Sequence, residues 1–254
     1  MNLSISQNLI NSLGVQPIVD WRRELPVNKN YTWAQLTGGP RNLSDITTIA
    51  LHHDGVAKSG TLERTDLQLA TTIANNHIKS TNNEKKGDAG FPYHIWIRNG
   101  FVYYCVNLED MTYGISSNNG YTVHICVSGD YYNYDSLTEK DRNALYAAIY
   151  TVQKSLPAFK EVKSHGEINP TDCPGYDMKR VRSDMVTVQN KMAYMDTPDY
   201  AKTRAYSIAN QILFFYNLAQ GKNPDGTQAT PGNIEWGKNV LLELDPFMTE
   251  RGLL

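Results

Sequence analysis

Cysteine is scarce in this chain of 254 residues: Cys105, Cys126 and Cys173 form an odd set at irregular spacing, which argues against a disulfide framework. Cys105 and Cys126 stand in apolar, strand-like surroundings, where a buried thiol acts as a small hydrophobe. Cys173 differs, lying between Asp172 and Pro174 on a polar loop. An excess of positive charge is also missing. The formal net charge is −2, so no basic stripe can neutralise phosphates, and nucleic acid is excluded as the main partner. The longest apolar run, around Ile212-Leu213-Phe214-Phe215, is far too short to span a bilayer, and no membrane insertion is expected. The opening Met1-Asn2-Leu3-Ser4-Ile5-Ser6 has neither a basic n-region nor a long apolar stretch, so the chain reads as made in the cytoplasm without a signal peptide. Internal repeats and low-complexity tracts are absent.

What is present suits a packed globular protein. Hydrophobic residues make up 41% and charged residues 20% of the chain, enough for one sizeable α/β domain plus an appendage. Residues 1–45, with scattered Pro and Gly, read as an irregular N-terminal extension wrapping that domain. Thr47 to His52 reads as a buried strand, and Thr65–Ser80 as a helix with Leu67, Ala70, Ile73, Ala74 and His77 near one face, closed by the polar stretch 81–87. Tyr93–Arg98 and Phe101–Val106 are expected strands joined by Asn99-Gly100, a strong hairpin signal. Thr122–Ser128 is a further strand. Thr138 with Asp141 resembles a helix cap, ahead of an amphipathic run through Leu145, Ala148, Ile149 and Val152. Met178, Val181, Met185 and Val188 suggest another helix. From about Thr197 the character changes to two apolar helices, Asp199–Ala219 and Asn233–Leu244, separated by a loop over Gly221–Pro231.

The chemistry gathers in Ser164-His165-Gly166-Glu167-Ile168-Asn169-Pro170-Thr171-Asp172-Cys173-Pro174-Gly175, read together with His52-His53. An imidazole and a thiol stand eight positions apart on a Pro/Gly-punctuated loop, with a distant imidazole at the end of an apolar strand. Two His and one Cys can hold Zn2+ and leave its fourth position open for water, the arrangement of a catalytic rather than a structural site. His165-Gly166-Glu167 also fits half of a nucleoside-deaminase signature, but the P-C-x-x-C that signature requires never appears.

Four segments in order resemble the zinc-dependent N-acetylmuramoyl-L-alanine amidases, the group of phage lysozyme-amidases and animal peptidoglycan recognition proteins. They are Ile49 to His53 (an apolar strand ending in His), Phe91 to Gly100 (a Gly-Tyr-His-type hairpin), Val123 to Asp130 (a strand ending Gly-Asp) and His165 to Gly175 (a His…Thr-x-Cys-Pro-Gly loop). Together they span roughly residues 45–190. The resemblance implies an α/β fold, a central mixed β-sheet flanked by helices with a zinc cleft at the strand ends, plus a small C-terminal helical region. It implies zinc ligands His52, His165 and Cys173, with His52 rather than His53 because the family's ligand sits directly after the apolar strand; strand neighbours point to opposite faces, so only one of the two can bind. It also implies catalytic roles for Tyr93, orienting water or stabilising the oxyanion, and Thr171, donating a second hydrogen bond. His94 matches a frequent family residue of structural kind. This chain departs from the family where Ile115 stands in place of a substrate-facing His, and where His124 replaces a small residue.

The implied activity is hydrolysis of the amide between N-acetylmuramic acid and L-alanine in bacterial peptidoglycan. Two other readings stand beside it: a non-catalytic wall-binding protein, and a zinc endopeptidase cutting within the stem peptide. A glycosidase would need two facing carboxylates, and no motif nominates them. The implied setting is a phage or prophage endolysin, made in the host cytoplasm and acting on the cell wall after release. The expected division is an extension over 1–45, the zinc amidase domain over 46–192, and a helical domain over 193–254 that binds wall polymers or joins two copies in a homo-oligomer.

Overall fold

The computed structural model describes residues 1–80 and 87–250, the side chains of 245–250 excepted. The chain divides into two compact units, Met1–Met192 and Ala193–Leu254. The polar stretch expected to close the first long helix falls almost wholly on 81–86, outside the described residues.

The first unit is built on a six-stranded mixed sheet: β1 (Val19–Asp20), β2 (Thr48–His53), β3 (Ile95–Arg98), β4 (Phe101–Tyr104), β5 (Thr122–Val127) and β6 (Glu161–Ser164), in the order β1-β4-β3-β5-β2-β6. Every neighbouring pair is parallel except the β3–β4 hairpin. Asn99 and Gly100 both take positive φ, which suits a tight hairpin turn, and the Gly100 N–H donates to Asp141 Oδ1 at 2.9 Å. Central strands β2 and β5 are buried almost throughout, which is why their sequences run apolar without clear alternation.

Side chains alternate between the two faces of the sheet. One face carries Trp96, Tyr103 and Cys126, covered by helix α3 (Asp66–Lys79) through Leu69, Ala70, Ile73 and Ala74. Helix α4 (Glu139–Ser155) packs against β3, β4 and β5, burying Ala144, Leu145, Ala148, Ile149 and Val152. Thr138 caps it, accepting from the Asp141 N–H at 3.2 Å. Helix α6 (Met178–Met195) lies beside α4, with Tyr146 Oη donating to Asp184 at 2.6 Å and Gln189 donating to Gln153 at 3.1 Å. Between them in sequence stands a one-turn helix, α5 (His165–Ile168).

The first 45 residues are not an irregular wrapping. They contain helix α1 (Gln7–Leu13), edge strand β1 and helix α2 (Trp33–Thr37), and they send Trp21, Leu25 and Trp33 into the same core as Trp96 and Phe91. Trp21 stacks on Tyr103 with ring centroids 3.7 Å apart. Together with Ile5, Leu9 and Val15, also buried, these three side chains help offset the ordering of the segment.

In the second unit, α7 (Pro198–Ala219) starts with Thr197 accepting from the Tyr200 N–H at 3.2 Å. Helix α8 (Pro231–Glu250) returns alongside it, Trp236 meeting Phe215 edge-on at 5.1 Å. Among the described residues no helix is long and apolar enough to cross a membrane.

Candidate metal centre

Strand β2 brings His52 to its penultimate position, on the same face as Ala50, where it is only 2% exposed. The parallel register of β2 with β5 sets Ala50 opposite His124 and His52 opposite Cys126, so both β5 side chains stand beside His52 on that face. Strand β6 pairs with β2 on its other side and delivers the chain to His165. His165 opens the one-turn helix α5 rather than lying on a loop. Ser164 caps this turn in a reciprocal box: its Oγ accepts from the Glu167 N–H at 3.0 Å, and Glu167 Oε2 accepts from the Ser164 N–H at 2.8 Å. Arg182 then holds Glu167 at 3.0 Å.

The loop after α5 folds back on itself. The Gly166 N–H donates to the Cys173 carbonyl at 2.8 Å, and a Cβ at Gly166 would collide with the Thr171 carbonyl oxygen. A glycine one residue after His165 is therefore what lets the loop return and set Cys173 beside the two imidazoles.

His52, His165 and Cys173 come together with one donor atom from each, all within 4.8 Å of one another. His52 Nδ1 lies 3.9 Å from Cys173 Sγ, and the His52 and His165 ring centroids are 4.9 Å apart. His53 is not in the cluster. Its backbone N–H instead donates to Cys173 Sγ at 3.4 Å, which favours the thiolate form of the sulfur. Burial holds His52 well below the usual imidazole range and lowers His165 as well, so both rings are neutral and able to give a lone pair at neutral pH. Burial pushes the Cys173 thiol up to about 11. Three uncharged donors gathered this closely suit a cation, whose charge favours loss of the thiol proton.

Tyr93 lies two residues before β3 rather than within it, half-buried, with its ring 5.4 Å from that of His52. Burial, with the Cys126 thiol beside it, raises the phenol well above its ordinary range, so it remains a hydrogen-bond donor. Thr171 is exposed, and its Oγ accepts from the Cys173 N–H at 3.4 Å, so at the least it shapes the loop that carries the thiol. Ile115 is fully buried. His94 is buried too, its Nε2 2.8 Å from the Asp110 carbonyl.

His124 carries more than its sequence position suggested. Its Nδ1 lies 3.0 Å from His52 Nε2. In the chain His124 stands out only as a departure where the family has a small residue; the register that sets it against His52 joins positions 72 apart and could not be read from the sequence. Arg41, from the N-terminal segment, is another such residue. Its guanidinium donates to the carbonyls of Leu108, Asn119 and Thr122 and so ties the loop before β5 to that segment.

Fold and cluster together define a protein with a candidate mononuclear metal centre, of two imidazoles and one thiol, over one face of a mixed sheet. No protein-family model and no curated protein matches the chain. Among solved structures it is similar to an N-acetylmuramoyl-L-alanine amidase endolysin, LysCS, from Clostridium intestinale, at 17% identity and a TM-score of 0.48, over 67% of this chain and 96% of that one. It is similar to an endolysin of a Thermus scotoductus bacteriophage at 18% identity and a TM-score of 0.47, over 66% and 98%. It is similar also to the Drosophila peptidoglycan recognition protein SD at 18% identity and a TM-score of 0.46, over 63% and 88%.

Proposed function

We propose that this protein is a zinc-dependent N-acetylmuramoyl-L-alanine amidase that hydrolyses the amide between N-acetylmuramic acid and L-alanine in bacterial peptidoglycan. The observation that carries the reading is the meeting of His52, His165 and Cys173 within 4.8 Å, from two of the four segments that resemble the amidases. Imidazole and thiolate together suit zinc, and three protein donors leave one tetrahedral position for water or substrate. When bound, zinc supplies a water acidified toward neutral pH and polarises the scissile carbonyl.

The chain's own residues do the rest. His52 and His165 give lone pairs without first losing a proton, and the His53 N–H steadies the sulfur of Cys173. Tyr93 keeps its phenolic proton and offers it to the oxygen on which negative charge develops as the carbonyl is attacked. Thr171 offers its hydroxyl proton to the same oxygen, its own oxygen being engaged by the Cys173 N–H. In this reading 46–192 hold the chemistry, and 193–254 bind wall polymers or join two copies. The setting is a phage or prophage endolysin that reaches the wall after release from the host cytoplasm.

The test is end-group analysis of purified Gram-positive peptidoglycan incubated with the protein, with and without a zinc chelator. New N-terminal L-alanine, formed only without chelator, is expected. New termini at other stem residues would move the cut to a peptide bond, and no new termini would leave a wall-binding protein.

A further inference from the structure

The hydrogen bonds around His124 admit one arrangement of protons. Thr122 Oγ1 gives its hydrogen to the Asn118 carbonyl at 3.0 Å, so toward His124 Nε2, 3.4 Å away, it can only accept. His124 Nε2 therefore carries the hydrogen and Nδ1 is bare. Nδ1 lies 3.0 Å from His52 Nε2, so His52 must donate there, and the lone pair of His52 is on Nδ1, the atom 3.9 Å from Cys173 Sγ. The reverse arrangement would set the bare Nε2 of His124 against the Thr122 oxygen inside a fully buried pocket, at a cost of about 1–3 kcal/mol.

We propose that His124 is a positioning residue for the metal centre: it accepts the Nε2–H of His52 and so holds the Nδ1 lone pair of His52 toward His165 and Cys173. A ligating imidazole commonly gives its second N–H to a carboxylate, carbonyl or water. Here a second imidazole, itself fixed in tautomer by Thr122, takes that part. The pose of His124 is set from three sides. Its backbone N–H donates to His94 Nδ1 at 3.0 Å, its carbonyl accepts from the His94 N–H at 3.0 Å, and Gly114 lies flat against its ring. A Cβ at Gly114 would stand 2.8 Å from His124 Nδ1, so the loop before β5 carries no side chain where the ring must lie.

The inference rests on the metal reading above, and its test separates the two. Long-range 1H–15N spectra of the metal-free wild type are expected to show both His52 and His124 as Nε2–H tautomers. An Nδ1–H tautomer at His52 would overturn the proposal whether or not any variant folds. Zinc affinity is then measured by competition with a chromogenic chelator for His124→Leu, which removes the acceptor, and for His124→Asn, whose amide oxygen can stand in for Nδ1. Leu is expected to weaken zinc roughly 10–100-fold and Asn to recover most of that loss. Wild-type affinity in the Leu variant, or equal loss in both, would overturn the role of His124. A wild type that binds no zinc at all would sink the amidase reading, while the tautomer spectra would still decide which way His124 holds His52.

Discussion

The backbone N–H of His53 points at the sulfur of Cys173 from 3.4 Å, while the ring of His52 reaches the same sulfur with Nδ1 at 3.9 Å. Consecutive residues of one strand thus serve one thiol by different means, a peptide dipole from one and an imidazole from the other. Replacing the sulfur tests both. Cys173→Ser puts a weakly acidic hydroxyl where a thiolate is needed, so bound zinc and amide hydrolysis should be lost together. The thiol is half-buried on a loop, so between the metal-free proteins thermal stability should change by less than about 1 kcal/mol, the stabilisation by bound zinc being lost besides. A variant that is both active and zinc-replete, by metal analysis, would remove Cys173 from the ligand set.

Tyr93 separates binding from catalysis. Its ring lies against His52, but it is no member of the donor cluster, so Tyr93→Phe should leave the zinc content as in wild type. If its phenol stabilises the developing oxyanion, kcat should fall about 100-fold with little change in KM. Unchanged turnover in the end-group assay would reduce Tyr93 to a packing residue.

The parts of this architecture written locally were legible in the chain. The hairpin at Asn99-Gly100, the buried runs of β2 and β5, and the capped start of α4 all follow from neighbouring residues, and all are present in the fold. Strand β6 was not legible. Glu161-Val162-Lys163-Ser164 is an edge strand with one partner and mostly half-exposed side chains, so it carries no burial pattern. The N-terminal segment hid its contribution for a related reason: among its buried residues Trp21, Leu25 and Trp33 hold it against Trp96 and Phe91 through non-local packing. The residues of the centre were legible as types on a strand end and a loop. What the chain could not tell was the strand register that puts His124 behind His52.

Gly114 offers a steric test of that arrangement. An added methyl would meet Nδ1, Cε1 and Cγ of His124 at 2.8 to 3.0 Å, closer than nonbonded atoms tolerate. With His124 held by His94 through two backbone bonds, the ring cannot yield without disturbing β5. Gly114→Ala should destabilise the protein by about 1–3 kcal/mol in urea unfolding and weaken zinc as well. A variant with wild-type stability and affinity would show that the loop moves freely past the ring.

The buried histidines also set a direction for pH. Burial and the charge of Arg41 beside it depress His94 to about 3, against an ordinary value near 6.5. The unfolded chain therefore takes up a proton near pH 6.5 that the folded one refuses, so stability is full above that pH and lost progressively as pH falls toward 3. Between pH 7.5 and 5.5 this one ring should remove about 1.4 kcal/mol. His52 and His124, lowered in the same direction by their own burial, should steepen the loss. The window lies above the ordinary carboxylate range, so the histidines should dominate it. Urea unfolding of wild type and His94→Asn at the two pH values measures the contribution directly. The variant's loss should be smaller by about the amount assigned to His94, and equal losses in both would mean that His94 is not held neutral by the fold.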